Sequence, residues 1–329
     1  MTHSKLRDVA ERSGVSISTA SRALNNRADV SPATRARVLR AAEELGYVPS
    51  SLAKGLWSGS TKTVGVVVTT ISNPFYANVV TGIESVLDRE AYNIVLNSSH
   101  EDPMRELRAV RLLLEQRVDG IILAPVASEP TAVEYLEKNK VPYVLVGRRA
   151  RNVEVDHVVC DDYSIGALAA EHLIKRGHKR ILFINSSQNY SAQLRQEGFC
   201  QTLLEAGIDQ GPEWVRPVRI GQRVEEVLGA VLDEGLNPTA IFCFCDQMAI
   251  DAMRELKRRG VRIPDDIAVM GVDNLSVGEM LDPPLTTIDV QNSQMGIGSA
   301  QILLRKMQQH DGYSEQINLV PRLVERAST

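Results

Sequence analysis

A chain of 329 residues exceeds what one hydrophobic core usually organises, so two or three domains are expected. Its 43% hydrophobic and 24% charged content is that of a soluble globular protein, no apolar run reaches the length of a membrane span, and the polar N-terminus lacks a signal-peptide core, so a cytoplasmic protein without membrane contact is expected. The net charge of -4 argues against a nucleic-acid binder only until it is located: residues 1–60 hold nine Lys/Arg against five Asp/Glu, the remainder 28 against 36. A basic head on an acidic body confines phosphate contacts to one end.

Residues 6–26 read as two short helices hinged at Gly14, which permits the left-handed backbone a tight interhelical turn requires. Val15 plugs the corner, and Ser16 supplies the hydroxyl that caps a second helix starting near Ile17. At 100 degrees per residue, Ala20, Ala23 and Leu24 face the first helix, while Ser18, Arg22 and Asn25 face away. That outer face is small, polar and cationic, as a helix entering a major groove needs: hydroxyls adapt, and a guanidinium can fork onto guanine O6 and N7. Ile17, flanking the first turn, could touch a thymine methyl. Ser16, Ile17, Ser18, Thr19, Arg22 and Asn25 are therefore the candidate duplex contacts, the alternative being an amphipathic helical hairpin with a solvated face.

A third helix opens at Ser31-Pro32, serine as cap and proline in the first helical position, and closes at Gly46, with Val38, Ala41, Ala42 and Leu45 inward. Residues 47–63 begin like a helix and finish as a Gly/Ser/Thr linker; a one-turn helix from Ser50 to Leu56, weakened by Gly55, would need a partner to form.

From Val64 onward apolar strands alternate with amphipathic helices. Strands are expected at 64–69, 94–97, 120–124, 143–146, 180–184, 240–245 and 267–272, with helices at 75–89, 104–116, 131–139, 165–176, 192–206, 224–234 and 248–259. Continuous apolar strands separated by helices indicate parallel sheets covered on both faces, and the length suggests two of them, the second beginning near Asp161. Cys160, Cys200, Cys243 and Cys245 are expected as small buried hydrophobes, the last two lacking zinc-knuckle spacing. No Gly-x-Ser-x-Gly elbow, phosphate-binding Gly-x-x-x-x-Gly-Lys-Ser/Thr loop or His-Glu-x-x-His motif occurs, Gly296-Ile-Gly298 lacks a third glycine and is expected to precede a helix, and the six histidines are scattered. No enzyme, cofactor or metal is indicated.

Across essentially its whole length the chain resembles the LacI/GalR family of bacterial transcription regulators. The resemblance rests on Asp-Val-Ala, Gly-Val-Ser and Ser-Arg-Ala-Leu-Asn in the head, Gly-Tyr-Val-Pro-Ser-Ser-Leu-Ala-Lys-Gly-Leu in the linker, and Ser-Asn-Pro-Phe-Tyr at the entry to the body. Further along come Arg-Val-Asp-Gly-Ile-Ile, Arg-Gly-His-Lys-Arg-Ile, Ile-Pro-Asp-Asp-Ile-Ala-Val-Met-Gly-Val-Asp-Asn and Pro-Arg-Leu-Val-Glu-Arg. It implies an all-α helix-turn-helix headpiece (1–48), a hinge helix and linker (49–63) and an α/β periplasmic-binding-protein-like core (64–329) of two Rossmann-like parallel-sheet subdomains, switching near 161 and again near 290. It further implies a homodimer on a pseudo-palindromic operator. Ile17, Ser18 and Arg22 match base-reading positions, and Leu56 matches the leucine that wedges into the minor groove, where unstacking is offset by a kinked duplex that covers more protein surface. Lys54 stands where the family often has arginine, keeping charge but losing the fork.

Ligands of paired parallel sheets bind beyond the carboxyl ends of the strands. That rule selects Asn73, Phe75, Arg148, Asp161, Asp246 and Asp273, with Arg195 just inside a helix after a loop; most match family effector positions. Carboxylates and guanidinium suit vicinal hydroxyls, and Phe75 suits a sugar's apolar face. The alternative, open above all at Asp161, is that strand-end aspartates cap the next helix or pair with arginine locally. The expected function is a repressor of carbohydrate-utilisation genes released by a sugar or sugar derivative. The alternatives are a co-repressor effector (a purine or a phosphorylated partner protein) and a cytosolic sugar-binding module. No heptad pattern follows Pro321, so a dimer is expected rather than a tetramer.

Overall fold

The computed structural model describes residues 4–48, 60–126, 130–150, 154–186, 189–308 and 314–329, in two compact units, Met1–Thr61 and Lys62–Thr329. Lys54 and Leu56 lie outside the described residues, as does most of the expected hinge.

The first unit holds α1 (Leu6–Ser13), α2 (Ile17–Leu24) and α3 (Pro32–Glu44). Gly14 closes α1 at φ 65° and returns its N–H to Ala10 and Glu11. No atom lies within 4 Å of where its Cβ would sit, so the sign of φ, not crowding, is what asks for glycine. Ser16 caps α2 by accepting from the Thr19 amide at 3.1 Å, and Ser31 caps α3 by accepting from Thr34. Val9, Ala10, Ala20, Ala23, Val30, Val38, Ala41 and Ala42 form a core of small side chains, edged by Leu6, Val15, Leu24, Leu45 and Tyr47.

The second unit is built on two parallel sheets. In the first, β1 (Thr63–Val68), β2 (Asn93–Ser98), β3 (Gly120–Leu123), β4 (Tyr143–Val146), β5 (His157–Cys160) and β11 (Gln316–Leu319) lie in the order β11-β5-β4-β3-β1-β2. Strands β1, β3 and β4 are apolar and almost entirely buried because helices cover both faces: α4 (Pro74–Leu87), α5 (Pro103–Glu115), α6 (Thr131–Lys138) and α11 (Asn292–Gln308). The second sheet, β7-β6-β8-β9, uses β6 (Ile181–Ser186), β7 (Val215–Val218), β8 (Ala240–Cys243) and β9 (Ala268–Met270). Around it lie α7 (Asp162–Lys175), α8 (Tyr190–Glu205), α9 (Val224–Asp233) and α10 (Asp246–Arg258). Phe183 and Phe242 stack at 4.4 Å between centroids, with Phe199 5.4 Å from Phe242, under α8.

The chain passes between the sheets three times. It leaves the first after β5, returns through α11, and leaves again after β11, where β12 (Arg322–Val324) pairs antiparallel with β10 (Thr287–Asp289) and Ser328 accepts from the Val269 amide. Two helix crossings hold these passages tightly. A Cβ on Gly166 of α7 would fall 1.9 Å from the Arg195 carbonyl oxygen of α8, and one on Gly296 of α11 would fall 2.0 Å from the Val79 carbonyl oxygen of α4. Gly296 and Gly298 thus lie inside α11, not before a helix as the sequence suggests: Gly296 serves the close approach of the α4 backbone, not a loop.

Candidate functional site

The first candidate surface is the outer face of α2. Ser16, Ser18, Arg22 and Asn25 are exposed, Ile17 keeps half its surface, and Thr19 is partly covered. The Ser16 hydroxyl lies 2.8 Å from both the Ser18 and Thr19 hydroxyls, so one rotating network presents donors and acceptors from the first turn. Arg22 donates to Asp29 at 2.9 Å across an exposed ion pair. Such a pair contributes at most about 1 kcal/mol in water, so it orients the guanidinium without committing it.

The second lies in the body, at the carboxyl ends of both sheets. From the first sheet, Asn73 caps α4 by accepting from the Phe75 amide at 3.0 Å. Phe75 and Tyr76 meet edge to face at 4.9 Å, and Gly147, at φ 72°, leaves room for the Phe75 ring 3.3 Å from where a Cβ would sit. Arg148 forks onto Glu101 with two bonds of 2.8 Å. Burial opposes the Arg148 charge, but Tyr76 and Glu101 beside it outweigh this and raise its pKa. His100 and Glu101 both hold positive φ, 52° and 58°, in the loop that presents this carboxylate. A second acid near this pair, Glu106, is buried, accepts from the Val126 amide at 2.7 Å, and is pushed up to about 7 by that burial.

From the second sheet, Arg195 is 7% exposed: Nε donates to Asp162 at 2.8 Å, Nη1 to the Phe244 carbonyl at 2.5 Å, and the guanidinium lies 4.3 Å over the Phe244 ring, while Nη2 makes no hydrogen bond among the described residues. The Gly166 crossing sets this pair, because it brings α7, which carries Asp162, against α8 at Arg195 itself. Asp273 is 5% exposed and strained at φ 112°. Among the described residues no side-chain or backbone group hydrogen-bonds its carboxylate; burial first and Asp246 second raise its pKa well above the ordinary range, against the pull of Arg195 and Arg148.

Asp161 turns inward to local work, accepting from the Ser164 amide and hydroxyl at 3.2 and 2.7 Å, which is the capping alternative. Asp246 lies beneath the cleft: fully buried, it accepts from the Leu275 amide at 2.8 Å and the Thr287 hydroxyl at 2.6 Å, and so holds the loop that carries Asp273. The residue of that strand end that stays partly open is Cys245, whose thiol burial and Asp273 push up to about 12. Cys200 is exposed, so only Cys160 and Cys243 are the buried small residues that all four were expected to be. Glu101, Asp162, Tyr76 and Phe244 were not singled out by the sequence. Among the described residues no group of His, Cys, Asp or Glu is placed to hold a metal ion, and no helix is long and apolar enough to cross a membrane. A surface groove between α9 and α10 is a lattice of mutual ion pairs, Arg254 with Glu225 and Arg259 with Asp233 and Glu255.

Residues 61–325 match the family of periplasmic binding proteins and sugar-binding domains of the LacI family, and residues 5–50 match the bacterial regulatory proteins of the lacI family. The chain belongs to the LacI family of bacterial regulatory proteins. As a LacI-family protein it is a DNA-binding transcriptional regulator. It is 32% identical over 330 residues to the HTH-type transcriptional repressor PurR of Aliivibrio fischeri (strain ATCC 700601 / ES114), covering 98% of this chain and 97% of that one. Among solved structures, it resembles the lac repressor dimer bound to operator and the anti-inducer ONPF (TM-score 0.84, 28% identity, 99% of both chains). It also resembles the transcriptional regulator CelR in complex with cellobiose (TM-score 0.76, 30% identity, 99% of this chain and 100% of that one). The LacI-family architecture expected from the motifs, a helix-turn-helix head and a two-sheet binding-protein body, is the architecture observed.

Proposed function

We propose that this LacI-family regulator is a cytoplasmic, homodimeric repressor of carbohydrate-utilisation genes, without catalytic activity, released from a pseudo-palindromic operator when a sugar or sugar derivative binds between its two sheets. The observation that carries the reading is the pairing, in one chain, of an exposed Ser18/Arg22 helix face with two arginine–carboxylate pairs, Arg148–Glu101 and Arg195–Asp162, and a buried Asp273 whose carboxylate accepts no hydrogen bond among the described residues. Ser16, Ile17, Ser18, Thr19, Arg22 and Asn25 contact the duplex, and Lys54 and Leu56 reach the minor groove at its centre. Asn73, Phe75, Arg148, Arg195 and Asp273 surround the effector, while Asp161 and Asp246 shape the loops beside it. Binding of sugars by a relative such as CelR, whose complex holds cellobiose, supports the carbohydrate assignment. Coupling requires only that the effector prefer the body conformation in which two weak hinge segments cannot pair; a ligand with equal affinity for both conformations would release nothing.

Selecting bound fragments from random duplex with the intact protein, then titrating sugars against the selected duplex, tests this reading. Release is expected. Tighter binding on adding ligand would make the effector a co-repressor, and no recovered sequence preference would refute regulation. Leu56→Ala is expected to reduce operator bending as well as affinity in a circular-permutation gel assay, and unchanged bending would contradict the wedge.

A further inference from the structure

We infer that the cleft selects against anionic ligands, so that its effector is an uncharged polyhydroxyl compound and not a sugar phosphate or a sugar acid. The inference rests on the effector reading above and concerns the ligand's charge. Arginines at the carboxyl ends of two sheets would ordinarily invite a phosphate or carboxylate. Both are already neutralised from within. Arg148 spends its fork on Glu101, and Arg195 gives Nε to Asp162 and Nη1 to the Phe244 carbonyl with an aromatic ring against its face, which leaves Nη2 for an uncharged acceptor such as a hydroxyl. Arg195 and Asp162 are each more than nine-tenths buried, so an anion that displaced Asp162 from the guanidinium would leave a buried carboxylate without a partner.

The remaining group points the same way. Asp273 is buried and accepts no hydrogen bond on its carboxylate among the described residues, and both arginines act on it electrostatically. Glu101 and Asp162 balance the two guanidinium groups one for one, and the Asp273 carboxyl offers an anion no further cation. A ligand hydroxyl pair can bond the Asp273 carboxyl at no cost in charge, whereas a ligand anion gains a guanidinium's charge only by displacing Glu101 or Asp162 from it. Backbone strain marks the two loops that deliver these acids, at His100 and Glu101 and at Asp273 and Asn274, all with positive φ. Such strain persists where the surroundings over-determine it and gathers at ligand sites.

Inorganic sulfate, at ionic strength matched with chloride, probes the cleft without knowledge of the effector. Glu101→Gln removes the charge from Arg148's partner, which is only partly buried. Sulfate is then expected to raise the thermal midpoint of the full-length variant by about 2–4 °C more than that of wild type, the basic head being common to both. Asp162→Asn repeats the comparison at Arg195. Equal sulfate shifts in wild type and both variants would overturn the inference. In the second arm, operator release is titrated with uncharged sugars beside their 6-phosphates and uronic acids. An uncharged sugar is expected to weaken operator binding about tenfold where its anionic counterpart changes it less than about twofold. Release by the anionic member alone would overturn the inference while sustaining the effector reading. No response to any sugar would instead refute the effector reading, and the sulfate comparison would still report on the charge of the cleft.

Discussion

The head and the body solve opposite problems with the same residue types. In Met1–Thr61, functional polar groups stand in water on a small core: Ser16, Ser18 and Arg22 are exposed, and the ion pair of Arg22 with Asp29 is open to solvent. In Lys62–Thr329, the candidate groups Arg195, Asp162 and Asp273 are buried, and Arg195 is already paired with Asp162 and the Phe244 carbonyl before any ligand arrives. An exposed reader can exchange partners cheaply, whereas a buried binder admits only a ligand that respects pairs already made.

Substitution at the glycines separates the two regions most strongly. Gly166→Ala places a methyl where the Arg195 carbonyl already sits, and is expected to destabilise the body by about 3 kcal/mol in denaturant unfolding. Gly14→Ala meets no atom and strains only its φ of 65°, so a loss nearer about 1 kcal/mol, confined to the head, is expected. Equal losses would break the comparison.

Protonation gives the next effect. The Glu106 carboxyl stands at about 7 in the folded body because burial disfavours its charge, against an ordinary value of 4.5. Folding therefore favours the protonated form: the contribution is complete below the ordinary value and is lost as pH rises through about 7. Wild type is expected to lose about 2 kcal/mol relative to Glu106→Gln between pH 5.5 and 8.5, read from unfolding midpoints at each pH. A parallel pH dependence in the two proteins would show that Glu106 is not so perturbed.

Arg22→Ala is expected to cost about 1–3 kcal/mol at one symmetric base position and to relax preference there; uniform weakening on all sequences would reduce Arg22 to a phosphate contact. Smallest of all, Asp29→Asn removes only an exposed partner, and a change in affinity below about 1 kcal/mol is expected in the same binding assay.

This contrast also explains what could be read from the sequence. The head was legible because its signals are local: Gly14, Ser16, Ser31 and Pro32 act within a few residues of themselves, and the periodicity of Ala20, Ala23 and Val38 gave its core. The central strands were legible for the same reason. Glu101 and Asp162 were not, because they act on arginines 47 and 33 residues away. Asp246 and Asp273 both follow apolar strands, and only tertiary structure turns one into the loop's support and leaves the carboxylate of the other without a hydrogen bond among the described residues. Strand β7 carries Pro217 at a sheet edge, β11 is a half-polar, half-exposed edge strand, β12 has three residues, and α11 contains Gly296 and Gly298, so each lacks the pattern of the element it forms.

The central claim is that occupancy of a cleft containing Asp273 governs the grip of the α2 face on duplex. Fluorescence anisotropy of the intact protein on its selected duplex, wild type beside Asp273→Asn, tests it with one uncharged sugar that releases the wild type. The account predicts that the variant holds the duplex with wild-type affinity and no longer lets go when that sugar is added; full release of the variant at the same sugar concentration would contradict it.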